Sequence, residues 1–596
     1  MTSALQLASL VARRAAREAG KPFITEPETG RSLSFAQLAE SVRTLRAALA
    51  ARGFRDGEPV MLLFYNGIAA AVGILGLACG GGTALPVNPE ASAPELEFLA
   101  RHSGARFALA ASASAGDLAR KLPAGTVAEA LTADTALLRW PGEAKPLSAE
   151  DDPALLLYTS GSTGTPKGVP LSARNLLAEC ANIAAAHQLT PGDKALCVLP
   201  LHHVNGLVVT LLTPLFVGFE VVMPARFSAS RFWDWVLRHR VSWFSAVPTI
   251  FAILLGGPIP DKKALSFLRF SRSASAALPE AVLHDFEHVS GAPLIESYGI
   301  SEGGSQIFSN PLPPRPRKAG SVGLPFGVEA RAVLPDGGNA PVGAVGEIAV
   351  RGENVAAGYL RNAEATRESF RDGWFFTGDL GRFDEDGYLF LQGRRKELIN
   401  RAGEMISPRE IDETLHRFPG VELAAAVGVP DSLYGEEVVA FVKMRGGGLP
   451  PEAAIREFCA GRLSGFKIPR RIYGLDEFPK GPSGKIQRLK LVGVYQSLPA
   501  GERLPERAPA VRKPRRKGAG KSWTVDLDPR ACKSCGYCAT VCAKDVFAPG
   551  EAINDLGYAP YVAARPEACN GCGLCFFVCP DFCLEIGEAE FAGAAP

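Results

Sequence analysis

Residues 158–168 combine the residue types that bind phosphate groups, and they follow an apolar run at 154–158. The segment reads YTSGSTGTPKG. Its glycines allow the backbone to approach phosphate oxygens, its hydroxyl and amide groups can donate to them, and Lys167 supplies a positive charge. The segment therefore predicts a phosphate-binding loop after a strand. It is not a Walker A loop, and the GKS at 520–522 is a decoy because Arg515 stands where that motif needs a glycine.

Nine of the 13 cysteines lie between residues 532 and 583, and eight of them form two runs with the spacing C-x2-C-x2-C-x3-C. The first run is Cys532, Cys535, Cys538 and Cys542, and the second is Cys569, Cys572, Cys575 and Cys579. This spacing is typical of [4Fe–4S] ligation. Zinc–thiolate sites are the main alternative, since they also use C-x2-C pairs. We interpret the ninth, Cys583, as a buried structural thiol.

Composition limits the class of protein. The chain has 596 residues and a net charge of +2, which gives no general argument for binding nucleic acid or a membrane surface. We expect no transmembrane helix, because no apolar run reaches about 18 residues. The N-terminal segment predicts a surface amphipathic helix rather than a transit peptide. Cysteines gathered in two runs indicate a reducing compartment, so we expect a cytoplasmic protein.

The elements that must position these groups follow an α/β pattern. From about residue 30 to 390, short apolar strand-like runs alternate with helical stretches, which predicts largely parallel sheets. Residues 397–498 carry a second, smaller α/β pattern. Residues 499–521 are rich in Pro, Gly and basic residues and predict an extended linker. We interpret its RKPRRK run as a solvated segment, with nucleic-acid or acidic-partner binding as the alternative.

Five motifs in order resemble the adenylate-forming acyl-CoA synthetase family. Besides the loop they are SYGISE (297–302), GWFFTGDLG (373–381), GRRKELINRAGEMISPREID (393–412) and PKGPSGKIQRLKL (479–491). The resemblance covers roughly residues 10–495. It implies a large N-terminal domain (1–394) and a small mobile α+β C-terminal domain (395–498), with ATP between them.

The resemblance also implies a role for each matching residue. Ser160, Thr163 and Lys167 would hold the ATP phosphates, and Tyr298 would stack on adenine. Glu302 would bind Mg²⁺ beside Ser301, which replaces the usual threonine. Asp379 and Arg394 would bind the ribose, Lys396 would be the hinge, and Lys485 would reach the substrate carboxylate and the α-phosphate. The expected reaction forms an acyl-AMP and then a thioester, with rotation about Lys396 bringing a pantetheine channel near Gly403.

Within that family the chain is most similar to the oxalyl-CoA synthetase branch, through LPLHHVNGL, FSAVPT and SNPLPPR. The branch has an aromatic residue at position 202 and histidines at 205 and near 305, whereas this chain has His202, Asn205 and Ser305. Asn205, Ser305 and His203 are the expected substrate contacts. We predict a small polar acid as substrate, with an aromatic or short aliphatic acid as the alternative. The expected thiol is CoA, with a separate carrier protein as the alternative.

The cysteine region (522–596) resembles a bacterial two-cluster ferredoxin, a small α+β domain. In such domains the fourth cysteine of each run serves the other cluster. That pairing implies two sets of ligands: Cys532, Cys535, Cys538 and Cys579 for one cluster, and Cys569, Cys572, Cys575 and Cys542 for the other. The clusters imply a redox partner enzyme. The alternatives are that they are structural or docking elements, or that the chain is mainly an electron carrier.

Overall fold

A computed structural model describes residues 2–143, 145–147, 152–159, 166–432, 434–479, 486–504, 523–554, 558–579 and 583–588. Ser160, Thr163, Lys485 and the linker from 505 to 522 lie outside the described residues. The chain divides into two compact units, Met1–Arg507 and Ala508–Pro596.

The first sheet of the larger unit ends in the predicted phosphate loop. Its strands at 59–63, 83–86, 107–111 and 153–159 run parallel, and antiparallel strands close both edges. The seven strands, in sheet order, are Val127–Ala130, Thr135–Arg139, Phe107–Ala111, Pro59–Leu63, Thr83–Pro86, Pro153–Thr159 and Lys167–Ser172. Helices around this sheet are Phe35–Ala50, Ile68–Cys79, Ala93–Ser103 and Ala115–Lys121. The central strands are apolar throughout because helices or loops cover both faces.

The second sheet carries the SYGISE motif on its most C-terminal parallel strand. Six neighbouring strands are parallel, and two antiparallel strands follow the motif. The nine strands, in sheet order, are Leu324–Pro325, Ser305–Ser309, Leu294–Ile300, Phe270–Ser273, Trp243–Ala246, Lys194–Cys197, Glu220–Val222, Pro22–Thr25 and Ser32–Ser34. Helices around it are Ser3–Arg17, Ala173–Ala186, Thr213–Val217, Phe232–His239, Pro248–Leu255 and Glu280–Ser290, with a π-helix at Asn205–Leu212.

The N-terminal helix Ser3–Arg17 is amphipathic, as the sequence predicts. It buries Leu7, Leu10 and Val11 and exposes its arginines at 13 and 17. No helix among the described residues is long and apolar enough to cross a membrane.

Residues 329–394 depart from the prediction of largely parallel sheets. They form an antiparallel sheet of Glu329–Val333, Gly346–Arg351, Phe370–Arg371, Trp374–Phe383 and Leu389–Arg394, flanked by the helix Ala363–Ser369. The physical reason is connection length. Short turns without a helix join Phe370–Arg371 to Trp374–Phe383 and the latter to Leu389–Arg394. Such turns join antiparallel neighbours, whereas parallel neighbours need a crossover.

The small domain follows directly. Its sheet consists of Ile399–Arg401, Glu404–Ile406, Val421–Asp431, Gly435–Met444 and Arg471–Gly474, and its helices are Pro408–His416, Glu452–Ala460 and Lys490–Ser497. The predicted hinge, Lys396, lies in the one-turn 3₁₀ helix Arg395–Glu397 between the two sheets.

The second unit is built from two similar halves around cysteines. Trp523–Leu527 pairs with Leu584–Glu588, and Phe547–Pro549 pairs with Tyr561–Ala563. Each cysteine run ends in a short helix, Tyr537–Val541 or Leu574–Val578. Cysteines make up most of its buried side chains.

Candidate active site

The predicted phosphate loop is closed at its base. Residues 154–157 are buried in the first sheet, and Thr159 pairs with Lys167 across the antiparallel strands that enter and leave the loop. The loop therefore leaves from the carboxyl end of a buried strand, where ligands bind in open α/β sheets.

Lys167 and Glu302 both lie against one residue that the sequence reasoning missed, Tyr359. The Lys167 ammonium lies 4.5 Å from the centre of the Tyr359 ring, and the Tyr359 hydroxyl donates to Glu302 Oε1 at 2.8 Å. The main-chain N–H of Ala356 donates to the Glu302 carbonyl at 2.7 Å. Tyr359 thus joins the phosphate-loop lysine to the predicted magnesium carboxylate. A tyrosine in the run VAAGYL carries no sequence signal for such a role.

Replacing Tyr359 by phenylalanine is expected to raise the Mg²⁺ concentration for half-maximal adenylation several-fold. The ring and its contact with Lys167 remain, but Glu302 loses a hydrogen bond to a charged group, about 1.5–3 kcal/mol in magnitude. The measurement is ATP–pyrophosphate exchange against Mg²⁺ concentration. Tyr388→Phe is the matched control, because the Tyr388 hydroxyl donates to the Pro316 carbonyl instead. An unchanged Mg²⁺ requirement would remove Tyr359 from the site.

Tyr298, Asp379 and Arg394 form a second group. The Tyr298 hydroxyl donates to Asp379 Oδ2, and Arg394 Nε donates to Asp379 Oδ1 at 3.1 Å. Asp379 and Arg394 are register partners on adjacent strands, which places them side by side. Burial and the Asp379 carboxylate raise the pKa of Tyr298, and that carboxylate also raises the pKa of Arg394. Both partners therefore stay protonated at neutral pH and hold Asp379 in place.

The expected substrate contact Asn205 belongs to a buried polar cluster around Arg272. Arg272 Nη1 donates to Asn205 Oδ1 and to Ser245 Oγ, each at 2.9 Å, and Arg272 Nε donates to Gln306 Oε1 at 3.1 Å. Asn205 Nδ2 donates to Ser275 Oγ at 3.2 Å. The sequence reasoning missed Arg272, because an arginine in the strand-like run FSRSAS has the pattern of an ordinary surface charge.

Close backbone packing at Gly206 and Gly299 places this cluster near Tyr298, the residue predicted to stack on adenine. A Cβ on Gly206, next to Asn205, would lie 2.3 Å from the Pro200 carbonyl oxygen, so the tight entry into the π-helix requires glycine. A Cβ on Gly299 would lie 1.8 Å from the Ser305 carbonyl oxygen. Gln306 opposes Gly299 in the strand pair, one residue from Tyr298.

The other expected substrate contacts lie around the same strand ends. Ser305 is buried and opposes Ile300 across the hairpin. The His202 and His203 rings are 4.5 Å apart, between centroids. Burial and His203 lower the pKa of His202 to about 3, so His202 is neutral at physiological pH.

Arg272 is 1 % exposed and makes no ion pair with a carboxylate of the described residues. Burial lowers its pKa to about 10, which still leaves it charged at neutral pH. The acidic residue that acts on it is Glu179, whose own pKa burial raises well above its usual value. Glu179 accepts from the Gln306 N–H at 2.5 Å and from Asn354 Nδ2 at 2.8 Å. A buried cation without a directly bonded carboxylate is costly.

Lys485 lies outside the described residues, but the described residues before and after segment 480–485 are held by defined contacts. The Gln487 N–H donates to the Pro479 carbonyl at 2.8 Å. Arg488 is ion-paired with Asp412 at 2.6 Å and with Glu397 at 3.3 Å. Gly403, the residue expected near the pantetheine channel, has a φ of 91° in the turn before Glu404 and donates to Asn400 Oδ1 at 3.0 Å.

The eight cysteines predicted as cluster ligands all lie within the described residues of the second unit. Cys532, Cys535, Cys538 and Cys579 line one cavity, together with Cys583. In the other set, burial and the nearby thiols of Cys572, Cys542 and Cys569 raise the pKa of Cys575 to about 11. No three His, Cys, Asp or Glu side chains of the described residues are arranged to hold a metal ion.

The two-domain fold and the phosphate-loop site define an ATP-dependent enzyme that activates carboxylic acids. Residues 11–360 match the AMP-binding enzyme model, and residues 410–485 match the model of its C-terminal domain. The chain belongs to the AMP-binding enzyme family and is an AMP-forming acyl-CoA ligase.

Individual relatives agree with that class. The chain is 45% identical to the sulfoacetate–CoA ligase of Cupriavidus necator over 82% of its own length and 97% of the relative's. It is 41% identical to the oxalate–CoA ligase of Arabidopsis thaliana over 73% of its length and 88% of the relative's. Among solved structures, ATP-bound MatB from Rhodopseudomonas palustris matches with a TM-score of 0.74 at 29% identity, covering 83% of this chain and 99% of that one.

Proposed function

We propose that the chain joins CoA to a small acid that carries a second anionic group, a sulfonate or a carboxylate. The buried Arg272, which makes no direct ion pair with a carboxylate of the described residues, carries this proposal. A distal anion would give it a direct ion pair, and a guanidinium suits both carboxylate and sulfonate geometry. The proposal accords with the names of the relatives that act on sulfoacetate and oxalate. Between these two we favour sulfoacetate, because the oxalyl-type histidines are replaced by Asn205 and Ser305.

In the first half-reaction the substrate carboxylate attacks the α-phosphorus of ATP, the bond to the β-phosphate breaks, and acyl-AMP and pyrophosphate form. Lys167 would hold the departing phosphates, and Lys485 would offset charge at the α-phosphate. Glu302, braced by Tyr359, would hold Mg²⁺, which supplies further charge neutralisation on the phosphates. Asp379, held by Tyr298 and Arg394, would accept hydrogen bonds from the ribose hydroxyls.

In the second half-reaction the CoA thiolate attacks the acyl carbon and AMP leaves. The second step needs a thiol channel beside the carbonyl of the adenylate, whereas the first step needs Lys485 at the same place. Rotation of the small domain about Lys396 would remove Lys485 and bring the channel, beside the turn at Gly403, to the carbonyl.

An ATP–pyrophosphate exchange screen tests the substrate class. The panel pairs acids of similar size with and without a second anion: sulfoacetate, oxalate and malonate against acetate, propionate and benzoate. We expect exchange with one or more of the first three, strongest with sulfoacetate, and weak exchange with the rest. Preference for benzoate or propionate would overturn the proposal and support the aromatic or short aliphatic alternative.

We further propose that the second unit holds two [4Fe–4S] clusters and exchanges electrons with a partner enzyme that acts on the same acyl thioester. Four thiols lining one cavity are the donor set of such a cluster. The alternative is a zinc–thiolate site, which also uses C-x2-C pairs. When bound, the clusters would supply one-electron transfer at low potential.

Metal analysis of anaerobically purified protein tests this second proposal. About eight iron atoms per chain and absorbance near 400 nm are expected from two clusters. Zinc in a colourless protein would overturn it. Ligase activity that is identical in both cluster oxidation states, with no electron transfer to any acyl-thioester-reducing enzyme, would leave the clusters a structural role.

A further inference from the structure

The two halves of the cysteine unit are related by a repeat of 37 residues, and they differ at a buried position close to the fourth cysteine of each run. Cys542 corresponds to Cys579, and the residue four positions after each is Val546 in one half and Cys583 in the other. The main chain repeats faithfully at this point. The Arg565 N–H donates to the Val546 carbonyl at 3.0 Å, and the Asp528 N–H donates to the Cys583 carbonyl at 2.8 Å.

The side chains at this position are both buried, with Val546 2 % and Cys583 7 % exposed. Cys583 Sγ lies 3.3 Å from Cys579 Sγ and lines the same cavity as the first set of cysteines. Cys579 is one of the four cysteines assigned to that set, so Cys583 is in direct contact with a sulfur that would bind iron. The equivalent residue of the other half, Val546, has an apolar side chain that cannot donate a hydrogen bond.

We infer that Cys583 makes the two clusters unequal by donating its S–H to the Cys579 sulfur, so that the first cluster has the higher reduction potential. This inference rests on the proposed iron–sulfur function of the unit. Reduction adds negative charge to a cluster and its thiolates, and a donor aimed at a ligand sulfur stabilises that charge. Hydrogen bonds to the sulfurs are among the factors that set cluster potentials. Cys583 is a positioning residue in this account and not an iron ligand.

The unequal clusters have a direct consequence for electron flow. An electron that enters the unit would settle on the first cluster, the one with Cys532, Cys535, Cys538 and Cys579. The second cluster would then serve as the stronger reductant. The direction of transfer through the unit is thereby set by one side chain.

A redox titration of the full chain followed by electron paramagnetic resonance tests the inference, with the iron content measured on every sample. The variants are Cys583→Val, which copies the other half, and the reciprocal Val546→Cys. Cys583→Ser keeps a donor of similar size. We expect Cys583→Val to lower the potential of one cluster and leave the other unchanged. Cys583→Ser should restore most of the difference, and Val546→Cys should raise the potential of the other cluster.

The possible failures are distinguishable. A wild-type chain without iron would refute the iron–sulfur proposal itself. If the chain holds about eight irons and neither midpoint potential differs between wild type and Cys583→Val, only the role of Cys583 is refuted. If Cys583→Val loses iron, the reciprocal Val546→Cys variant decides, and an unchanged potential there would overturn the inference. Loss of one cluster's signal in Cys583→Ser, with four irons fewer, would show that Cys583 is a ligand instead.

Discussion

Replacing Lys485 by alanine is expected to lower the rate of adenylate formation about 10²–10³-fold, the usual effect of removing one preorganised group that stabilises transition-state charge. Thioester formation from supplied acyl-AMP and CoA should stay within a few-fold of wild type. The reason is that the two half-reactions need different groups beside the reacting phosphorus and carbonyl: Lys485 in the first and the thiol channel in the second. A lysine that moves away after the first step cannot contribute to the second.

Lys485 can be replaced without removing the contacts that hold the residues on either side of segment 480–485. The hydrogen bond from Gln487 to Pro479 and the ion pairs of Arg488 do not involve its side chain, so the substitution should leave the small domain folded. Lys490→Ala is the matched control, because Lys490 is exposed on the helix that follows. Pyrophosphate exchange and acyl-AMP consumption are measured separately on each variant. An equal fall in both half-reactions would contradict the two-state account.

The sequence predicts those parts of the site whose chemistry is local. The phosphate loop, the SYGISE strand end and the Asp379 segment are short strings with special residue types, and each can be interpreted without knowing what packs against it. The pairing of Asp379 with Arg394 also follows from neighbouring segments, since a short turn joins their strands.

The rest of the site depends on contacts between distant segments. Asn205 and Arg272 are 67 positions apart in the chain, and Glu179 and Asn354 are 175 apart. Whether an arginine in a strand is exposed or buried depends on which face its neighbours cover, and periodicity over four residues cannot decide that. The same limit explains Tyr359, which acquires its place only when its loop packs against Glu302.

Replacing Arg272 by methionine is expected to lower kcat/KM for a dianionic acid about 10²–10³-fold, while kcat/KM for a monoanionic acid of similar size stays the same or rises. Truncating one partner of a buried charge pair costs about 2–5 kcal/mol. In the proposed complex the second partner would be the distal anion of the substrate, so the loss should follow that anion. Arg272→Lys keeps the charge but not the planar guanidinium, and an intermediate loss is expected.

Arg269→Met is the control for loss of a positive charge close by, because the Arg269 guanidinium pairs with Asp193 at 2.5 Å and not with the Asn205 cluster. A thermal-shift measurement separates binding from folding. A dianionic acid should raise the melting temperature of wild type and of Arg269→Met but not that of Arg272→Met, since a ligand stabilises a protein only in proportion to its binding to the folded state. If Arg272→Met loses activity equally on both kinds of acid, the guanidinium only supports Asn205 and Gln306.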